Sequence, residues 1–180
     1  RIEPHDSVER YSALGVDCIQ GRARLVSPWE VAIDTADGER RLSARATIIA
    51  TGARPLVPPI PGIDDVTVLT SENLWRLDSQ PRRLVVLGGG PIGCELAQSF
   101  ARLGSAVTQV EQSPRVLPRE DEDAARMVAD ALGEDGVTLL TGHRAARFAV
   151  ENGEQVLYAE SRDGERRLPF DAVLVAVGRR

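Results

Sequence analysis

The sequence contains no lysine, since all 22 of its basic residues are arginine. Without lysine, this segment has no P-loop of the usual kind, no Schiff-base lysine and no catalytic lysine. Its apolar runs fall well short of the ~20 residues that a helix needs to cross a bilayer, and residues 1–10 hold no apolar stretch of the kind found in a secretory signal. A net charge of −5 argues against binding to nucleic acid, whose phosphates require a basic patch. We therefore expect a cytoplasmic protein with no membrane span and no nucleic-acid partner.

Cysteine and histidine are scarce as well. Cys18 and Cys94 are too far apart for a CxxC motif, and neither has other metal-binding residues close to it in the sequence. We expect both to be buried thiols and expect no metal site. His5 and His143 each stand alone, and neither is predicted to have a chemical role.

The first third of the chain has the pattern of a helix followed by strands. Residues 7–15 have apolar side chains at helical spacing and end in glycine. Three short strand-like runs follow, with an Asp37-Gly38 hairpin turn between the second and the third: residues 17–26, 29–35 and 40–45. A continuous apolar run at 46–52 predicts a further strand. The proline-rich residues 55–63 predict a connector between domains, because they can form neither a helix nor a central strand.

The rest of the chain alternates strands with helices. Uninterrupted apolar runs predict buried strands, amphipathic stretches predict helices, and a late series of short segments with Asn-Gly and Asp-Gly turns predicts an antiparallel meander. We expect strands at 84–88, 106–111, 137–142 and 171–178, long helices at 90–104 and 120–136, a short helix at 71–77 and the meander at 144–170. This order predicts an α/β fold, with a Rossmann-like, doubly wound parallel sheet and a β-meander crossover.

Three consecutive glycines stand where the strand at 84–88 should turn into a helix. Gly88-x-Gly90-x-x-Gly93 in a strand–turn–helix context is the dinucleotide-binding fingerprint. Its first glycine allows the tight turn, its second lets a pyrophosphate approach the backbone, and its third lets the helix pack close to the strand. The start of the helix then offers free N–H groups and a partial positive charge to the phosphates. The pattern predicts a nucleotide site around residues 88–95.

Two acidic residues accompany the glycine turn. Glu111 closes the next strand, 18 residues after Gly93, where a carboxylate can accept hydrogen bonds from ribose hydroxyls. Glu95 lies at the start of the helix, where it either pairs with the helix dipole or approaches a nicotinamide. An S-adenosylmethionine site shares the glycine turn and the acid, so a methyltransferase is the main alternative on these motifs alone.

Three stretches, in this order, resemble the pyridine nucleotide-disulfide oxidoreductases: RATIIATGARPLVPPIPG, RLVVLGGGPIGCELAQSFARLGSAVTQVE and DAVLVAVGRR. These motifs are most similar to those of the dihydrolipoamide dehydrogenase and mercuric reductase branch, and the resemblance covers essentially the whole chain. It implies an FAD-dependent oxidoreductase in which NADH passes hydride to the flavin, and the flavin reduces a disulfide or a related acceptor. It also implies a parent protein that is a homodimer with NAD and FAD as cofactors.

In that family an NAD(P) domain interrupts an FAD domain. The resemblance therefore implies a tail of the first FAD segment at 1–62, forming a partial β-rich flank, an NAD(P)-binding domain at 63–170 and a return strand into the second FAD segment at 171–180. Contacts to the pyridine nucleotide would fall on Gly88, Gly89, Gly90, Pro91, Ile92, Gly93, Cys94, Glu95, Glu111, Ala145 and Gly178. Contacts to FAD in the parent would fall on Ala23, Thr51, Gly52 and Ala53.

Other parts of the family's machinery are not in this sequence: its FAD fingerprint, its CxxxxC redox pair and its C-terminal His-Glu pair. We therefore expect no catalytic residue in this segment. The chain begins with Arg1 rather than methionine, and we expect it to be a piece of a longer enzyme. A stand-alone nucleotide-binding sensor is the alternative from a different class, although a sensor would not need the flavin-like flanks.

The nucleotide is predicted to be NAD(H) rather than NADP(H). The carboxylate of Glu111 would accept hydrogen bonds from a ribose diol but would repel a 2′-phosphate. Gln112 stands where NADP-using relatives carry a basic residue. Arg115 is the one nearby cation that could weaken the preference.

Overall fold

The structure, a computed structural model, describes residues 7–180, so the prediction for His5 lies outside the described residues. The chain packs as two compact units, Arg1–Thr51 and Gly52–Arg180. Among the helices of residues 7–180, none has both the length and the apolar character needed to cross a membrane.

The first unit contains a short helix and a three-stranded antiparallel sheet. Helix α1 (Val8–Ala13) begins after Ser7, whose hydroxyl accepts a hydrogen bond from the backbone N–H of Arg10 at 3.2 Å. The strands are β1 (Arg22–Ser27), β2 (Glu30–Thr35) and β3 (Gly38–Ser43), with β2 in the centre. The turn between β2 and β3 ends at Gly38, whose φ of 118° favours glycine. The predicted helix, strands and hairpin turn are confirmed.

The predicted strand at 46–52 is wrong. These residues form no regular structure, and Ile48 and Ile49 are 91% and 67% exposed. An apolar run becomes a strand only where a neighbouring strand takes its backbone hydrogen bonds. Among the strands of residues 7–180, none pairs with this segment. The apolar pattern indicated burial, but nothing in this part of the protein supplies the partner strand.

The second unit is built on a five-stranded parallel sheet. Its elements follow in the order β4 (Val68–Leu69), β5 (Arg83–Leu87), α2 (Pro91–Arg102), β6 (Ala106–Glu111), α3 (Glu122–Glu134), β7 (Thr138–Thr141), β8 (Arg144–Glu151), β9 (Glu154–Ser161), β10 (Gly164–Phe170) and β11 (Ala172–Val175). The parallel strands lie in the order β4-β11-β5-β6-β7, and β8, β9 and β10 form a separate antiparallel sheet. The Rossmann-like parallel sheet with its meander crossover is therefore confirmed.

The parallel sheet is buried on both faces, because successive side chains of a strand point to opposite faces. In β5, Leu84 and Val86 pack in a cluster with apolar residues of α2 and α3. Val85 and Leu87 pack in a second cluster with residues of the meander. In that second cluster the rings of Phe148 and Phe170 meet edge to face, with centroids 5.8 Å apart. The helices and the meander thus cover opposite faces and leave the strand ends to form a site.

A charged network joins the meander to the amino end of the sheet. Arg83, which opens β5, donates hydrogen bonds from its guanidinium to Asp171 at 2.8 Å and to Glu154 at 2.7 Å. Hydrogen bonds from Arg83 and then from Arg167 lower the pKa of Glu154. Burial raises the pKa of Asp171, but the hydrogen bonds from Arg83 outweigh burial and leave that pKa lowered. Both carboxylates therefore stabilise the fold in their ionised form.

Two short elements of the second unit differ from expectation. The helix predicted at 71–77 is a single 3₁₀ turn, Leu74–Arg76. Asn73 precedes this turn, and its side chain accepts a hydrogen bond from the N–H of Thr70 at 2.7 Å without capping the turn. Strand β4 was not predicted, because two residues are too few to show an alternating pattern.

Candidate functional site

A cavity of about 670 Å³ opens at the carboxyl ends of the parallel strands. It is lined by the glycine turn after β5, by Glu111 at the end of β6 and by Gly178 beyond β11. The chain runs from β5 through β6 to β7 on one side and returns later through β11 on the other side of β5. Ligand sites of parallel sheets form at such a reversal of strand order. The volume of the cavity lies in the range of small-molecule sites.

The first and last glycines of the fingerprint hold the turn together. Gly88 has a φ of 103°, and a Cβ on it would lie 2.5 Å from the carbonyl oxygen of Ala176. A Cβ on Gly93 would overlap the carbonyl oxygen of Gly88. Glycine at these two positions therefore allows β5, β11 and helix α2 to approach one another, as the fingerprint predicts.

Gly90 differs, because a Cβ there would contact no protein atom. Its backbone is extended, with φ −76° and ψ 177°, and a Cβ built on it has nothing within 4 Å. Gly90 is also the N-cap of α2, and no side chain caps this helix. Pro91 follows at the first helical position, and the N–H groups of the first turn of a helix have no acceptor within the helix. The turn therefore leaves open space beside backbone donors and a positive dipole end, which suits an anionic group.

Both carboxylate oxygens of Glu111 accept hydrogen bonds from nearby backbone N–H groups. Its Oε2 accepts a hydrogen bond from the N–H of Gly89, and its Oε1 accepts one from the N–H of Ser113, each at 2.6 Å. Glu111 is half-buried and lines the cavity. Its position at the end of β6 is the one expected for a ribose-binding carboxylate.

The loop after β6 closes the same end of the cavity. Leu117, with φ 48°, donates from its N–H to the carbonyl of Gly89 at 2.7 Å. The guanidinium of Arg115 donates to three loop carbonyls, those of Leu117, Pro118 and Glu120. Arg115 therefore organises the loop and is not a lining residue. Arg119 lines the cavity instead, and among the described residues no side-chain hydrogen bond or ion pair engages it.

The structure brings most of the predicted nucleotide contacts together, but not all. The lining includes Gly88, Gly89, Gly90, Pro91, Ile92, Glu111, Ala145 and Gly178. Gly93, Cys94 and Glu95 lie on α2 outside the lining, with Glu95 exposed to solvent. The predicted FAD contacts Ala23, Thr51, Gly52 and Ala53 are all exposed and lie outside this cavity.

Cys94 is buried, as expected of its thiol. Burial raises the pKa of this thiol, so Cys94 stays protonated at neutral pH and is not positioned as a nucleophile. Cys18, also free, is only partly buried, which differs from the expectation of a buried thiol.

Two features of the site were not predicted. Gln109, fully buried in β6, donates from Nε2 to the carbonyl of Gly88 at 2.9 Å. A polar residue inside the apolar run of β6 was the available signal. His143 lines the cavity, and its Nδ1 lies 2.8 Å from the carbonyl oxygen of Thr141. No pattern in the sequence marked this residue.

A parallel sheet with a fingerprint turn at its switch point defines a Rossmann-like α/β protein. Residues 5–180 match the model of the pyridine nucleotide-disulphide oxidoreductase family, and the chain belongs to this family.

Its relatives include enzymes of the two expected branches. Over 92% of its length the chain is 37% identical to dihydrolipoyl dehydrogenase of Bacillus subtilis (strain 168) and 34% identical to mercuric reductase of Bacillus cereus. The solved structure of the HOCl-induced flavoprotein disulfide reductase RclA from Escherichia coli matches 91% of the chain with a TM-score of 0.67 at 34% identity. The chain spans 36%, 26% and 36% of the lengths of these three proteins.

Proposed function

We propose that the second unit binds NAD(H) in the cavity at the carboxyl edge of its parallel sheet, as part of an FAD-dependent oxidoreductase. The observation that carries this proposal is Gly90: open space faces its Cα at the uncapped start of α2, inside the cavity. No protein atom near Gly90 would clash with a Cβ at this position. Glycine is nevertheless explained there if a bound pyrophosphate takes the space that a side chain would occupy. Members of the family use NAD(P)H and FAD, which agrees with this assignment.

The lining residues divide by chemistry. The backbone of residues 88–92 would hold the pyrophosphate, because it combines helix N–H groups with room for the phosphates. The carboxylate of Glu111 would accept hydrogen bonds from the adenosine ribose. Ala145 and Gly178 are small lining residues that leave room for the rest of the dinucleotide.

The chemistry itself would belong to the cofactors. When bound, NADH supplies a hydride, which in the parent protein would pass to the flavin and on to a disulfide or a related acceptor. This chain would bind and orient the nucleotide, and no residue of it is assigned to catalysis.

Selectivity for NAD(H) over NADP(H) follows from the charge at the ribose. Glu111 would face a 2′-phosphate with a charge of the same sign. Arg115 is turned toward loop carbonyls and would not offset that repulsion. Three arginines line the cavity, Arg119, Arg144 and Arg179. Arg144 pairs with Glu160 and Arg179 donates to Ser71, so Arg119 is the lining guanidinium that we expect to reduce the repulsion.

The flanking segments belong to the parent protein. We assign residues 1–62 to its FAD domain, with Ala23, Thr51, Gly52 and Ala53 at the flavin nucleotide, and residues 63–170 to its NAD(P) domain. Strand β11, expected as the return strand into the second FAD segment, lies between β4 and β5 in the parallel sheet, so we place the return into the FAD domain after β11. The parent would be a homodimer. The present chain, with most of a flavin site outside it, is expected to be colourless and to consume no NADH.

Calorimetric titration of the chain with NADH and with S-adenosylmethionine tests the proposal. We expect saturable binding of NADH at a ratio of one per chain and no binding of S-adenosylmethionine. Binding of S-adenosylmethionine alone would instead support the methyltransferase alternative. A chain that purifies with about one equivalent of yellow flavin would contradict the assignment of the flanks.

A further inference from the structure

Gly89, the middle glycine of the three, is held by hydrogen bonds to the end of β6 and to the loop that follows it. Its N–H donates to Oε2 of Glu111 at 2.6 Å, and its carbonyl accepts from the N–H of Leu117 at 2.7 Å. The dinucleotide fingerprint makes no demand at this position, since its glycines are the residues on either side and Gly93. The contacts of Gly89 therefore need an explanation of their own.

The lack of a side chain at position 89 lets the carboxylate come close. A Cβ built on Gly89 would lie 2.9 Å from Cγ and 3.0 Å from Oε2 of Glu111. These distances are below ordinary van der Waals contact, so a larger residue would push the carboxylate away. The consecutive glycines are thus explained separately: Gly88 by its backbone and packing, Gly90 by the open space, and Gly89 by Glu111.

Glu111 has acceptor capacity for a second task. An ionised carboxylate offers about four acceptor positions on its two oxygens. The N–H groups of Gly89 and Ser113 each take one, on different oxygens. One acceptor position remains on each oxygen, which matches the two hydroxyls of a ribose diol.

We propose that Glu111 is a positioning residue for the phosphate-binding turn as well as the acceptor of the ribose hydroxyls, so that one carboxylate couples the two parts of the site. The proposal rests on the proposed function for its ribose half. By holding the N–H of Gly89, the carboxylate fixes the peptide between Gly88 and Gly89, which immediately precedes the backbone of Gly90. A hydrogen bond to a charged group is shorter and stronger than one between neutral groups, which suits it to hold a turn that has no side chains of its own.

The positioning half is tested without any nucleotide. Amide hydrogen exchange at Gly89, measured by NMR, should speed up by about tenfold or more in Glu111→Ala, because a charge-assisted hydrogen bond is lost. Gly89→Ala, which displaces the carboxylate and leaves it charged, should speed up exchange at the same amide to a smaller extent. Glu134→Gln is the control for the loss of one negative charge: Glu134 is exposed at the end of α3, does not line the cavity and makes no hydrogen bond to Gly89. Unchanged exchange at Gly89 in Glu111→Ala, with the unfolding midpoint retained, would overturn the proposal.

The coupling is tested with a ligand that lacks the hydroxyls. The probe is reduced nicotinamide 2′,3′-dideoxyadenine dinucleotide, titrated by calorimetry beside NADH. If Glu111 only bound the ribose, Glu111→Ala would leave the affinity for this analogue unchanged or raise it. A positioning role predicts a loss of about tenfold in affinity for the analogue and a larger loss for NADH, with no loss of either in Glu134→Gln. Failure of the wild-type chain to bind NADH would overturn the proposed function, whereas exchange at Gly89 would still decide the positioning role.

Discussion

The two compact units contrast in how much apolar surface they bury. In the second unit, apolar clusters cover both faces of the parallel sheet. In the first, the buried apolar residues among those described are Ala32 and Ile33, and α1 and β3 contain none. Both units have regular backbone hydrogen bonding, so secondary structure alone does not distinguish them. The second unit therefore carries its own apolar core, which holds in place the strand ends that form the cavity.

The largest expected difference between the units is in hydrogen exchange. Amides of β5 and β11, buried between two apolar layers, should exchange at least about a thousandfold more slowly than amides of β1–β3, because exchange follows the free energy of local opening. Hydrogen exchange followed by mass spectrometry on the same sample checks this. Equal protection in both units would break the comparison.

Replacement of Gly90 by valine should abolish tight NADH binding in the second unit. The extended backbone at Gly90 accepts valine without strain, but the branched side chain would fill the space assigned to the pyrophosphate. We expect an affinity loss of about 100-fold or more with little change in the unfolding midpoint.

Gly133→Val is the matched control for that experiment. Gly133 lies in α3, and a Cβ there also meets nothing within 4 Å, but it does not line the cavity. This variant should bind NADH like the wild type. If Gly90→Val did so too, the phosphate turn would be wrongly assigned.

Much of this contrast could be predicted from the sequence. Strand β6 has the bounds that its apolar run predicted, and the glycine turn lies between a strand and a helix as its fingerprint requires. The strand at 46–52 could not be excluded, because its pattern reports apolar character and not the presence of a partner strand. The roles of Arg115 and Gly89 depend on how an irregular loop folds back on the turn, which no periodicity encodes.

The preference for NADH over NADPH should be a smaller effect, and it tests the role assigned to Glu111. The carboxylate of Glu111 should repel a 2′-phosphate, although screening and Arg119 reduce this repulsion. We therefore expect the affinity for NADPH to be roughly 30-fold lower than that for NADH. Parallel titration of both cofactors against the wild type and Glu111→Ala measures this ratio. A wild type with equal affinities, or a variant with an unchanged ratio, would remove Glu111 from this role.

The charged network at the opposite edge should have the smallest effect. Arg83→Met removes the guanidinium hydrogen bonds to Glu154 and Asp171, keeps the backbone one to Asp171, and should lower the unfolding midpoint at pH 7 by about 3–6 °C, a modest loss because the groups are partly exposed. Arg126→Met, which removes only exposed ion pairs on α3 at 3.5 and 3.7 Å, should shift it by less than about 1 °C. Differential scanning fluorimetry compares the two variants, and equal shifts would show that the network adds nothing.

The same network gives the second unit a defined acid sensitivity. The pKa values of Glu154 and Asp171 are lowered in the folded protein from 4.5 and 3.8. Their stabilisation is therefore present above those values and is lost as the pH falls through the lowered pKa values. The unfolding midpoint temperature of the wild type should fall as the pH drops below about 4.5, and that of Arg83→Met should fall less over the same interval. Parallel pH curves for the two proteins would contradict this account.

The most direct test of the central claim is an NMR titration of the isotopically labelled chain with NADH. We expect chemical-shift changes in the glycine turn at 88–93, in the loop at 111–120 and at 175–178, and none in β1–β3. Saturable binding whose shifts fall in β1–β3, or that leaves the glycine turn unaffected, would contradict it.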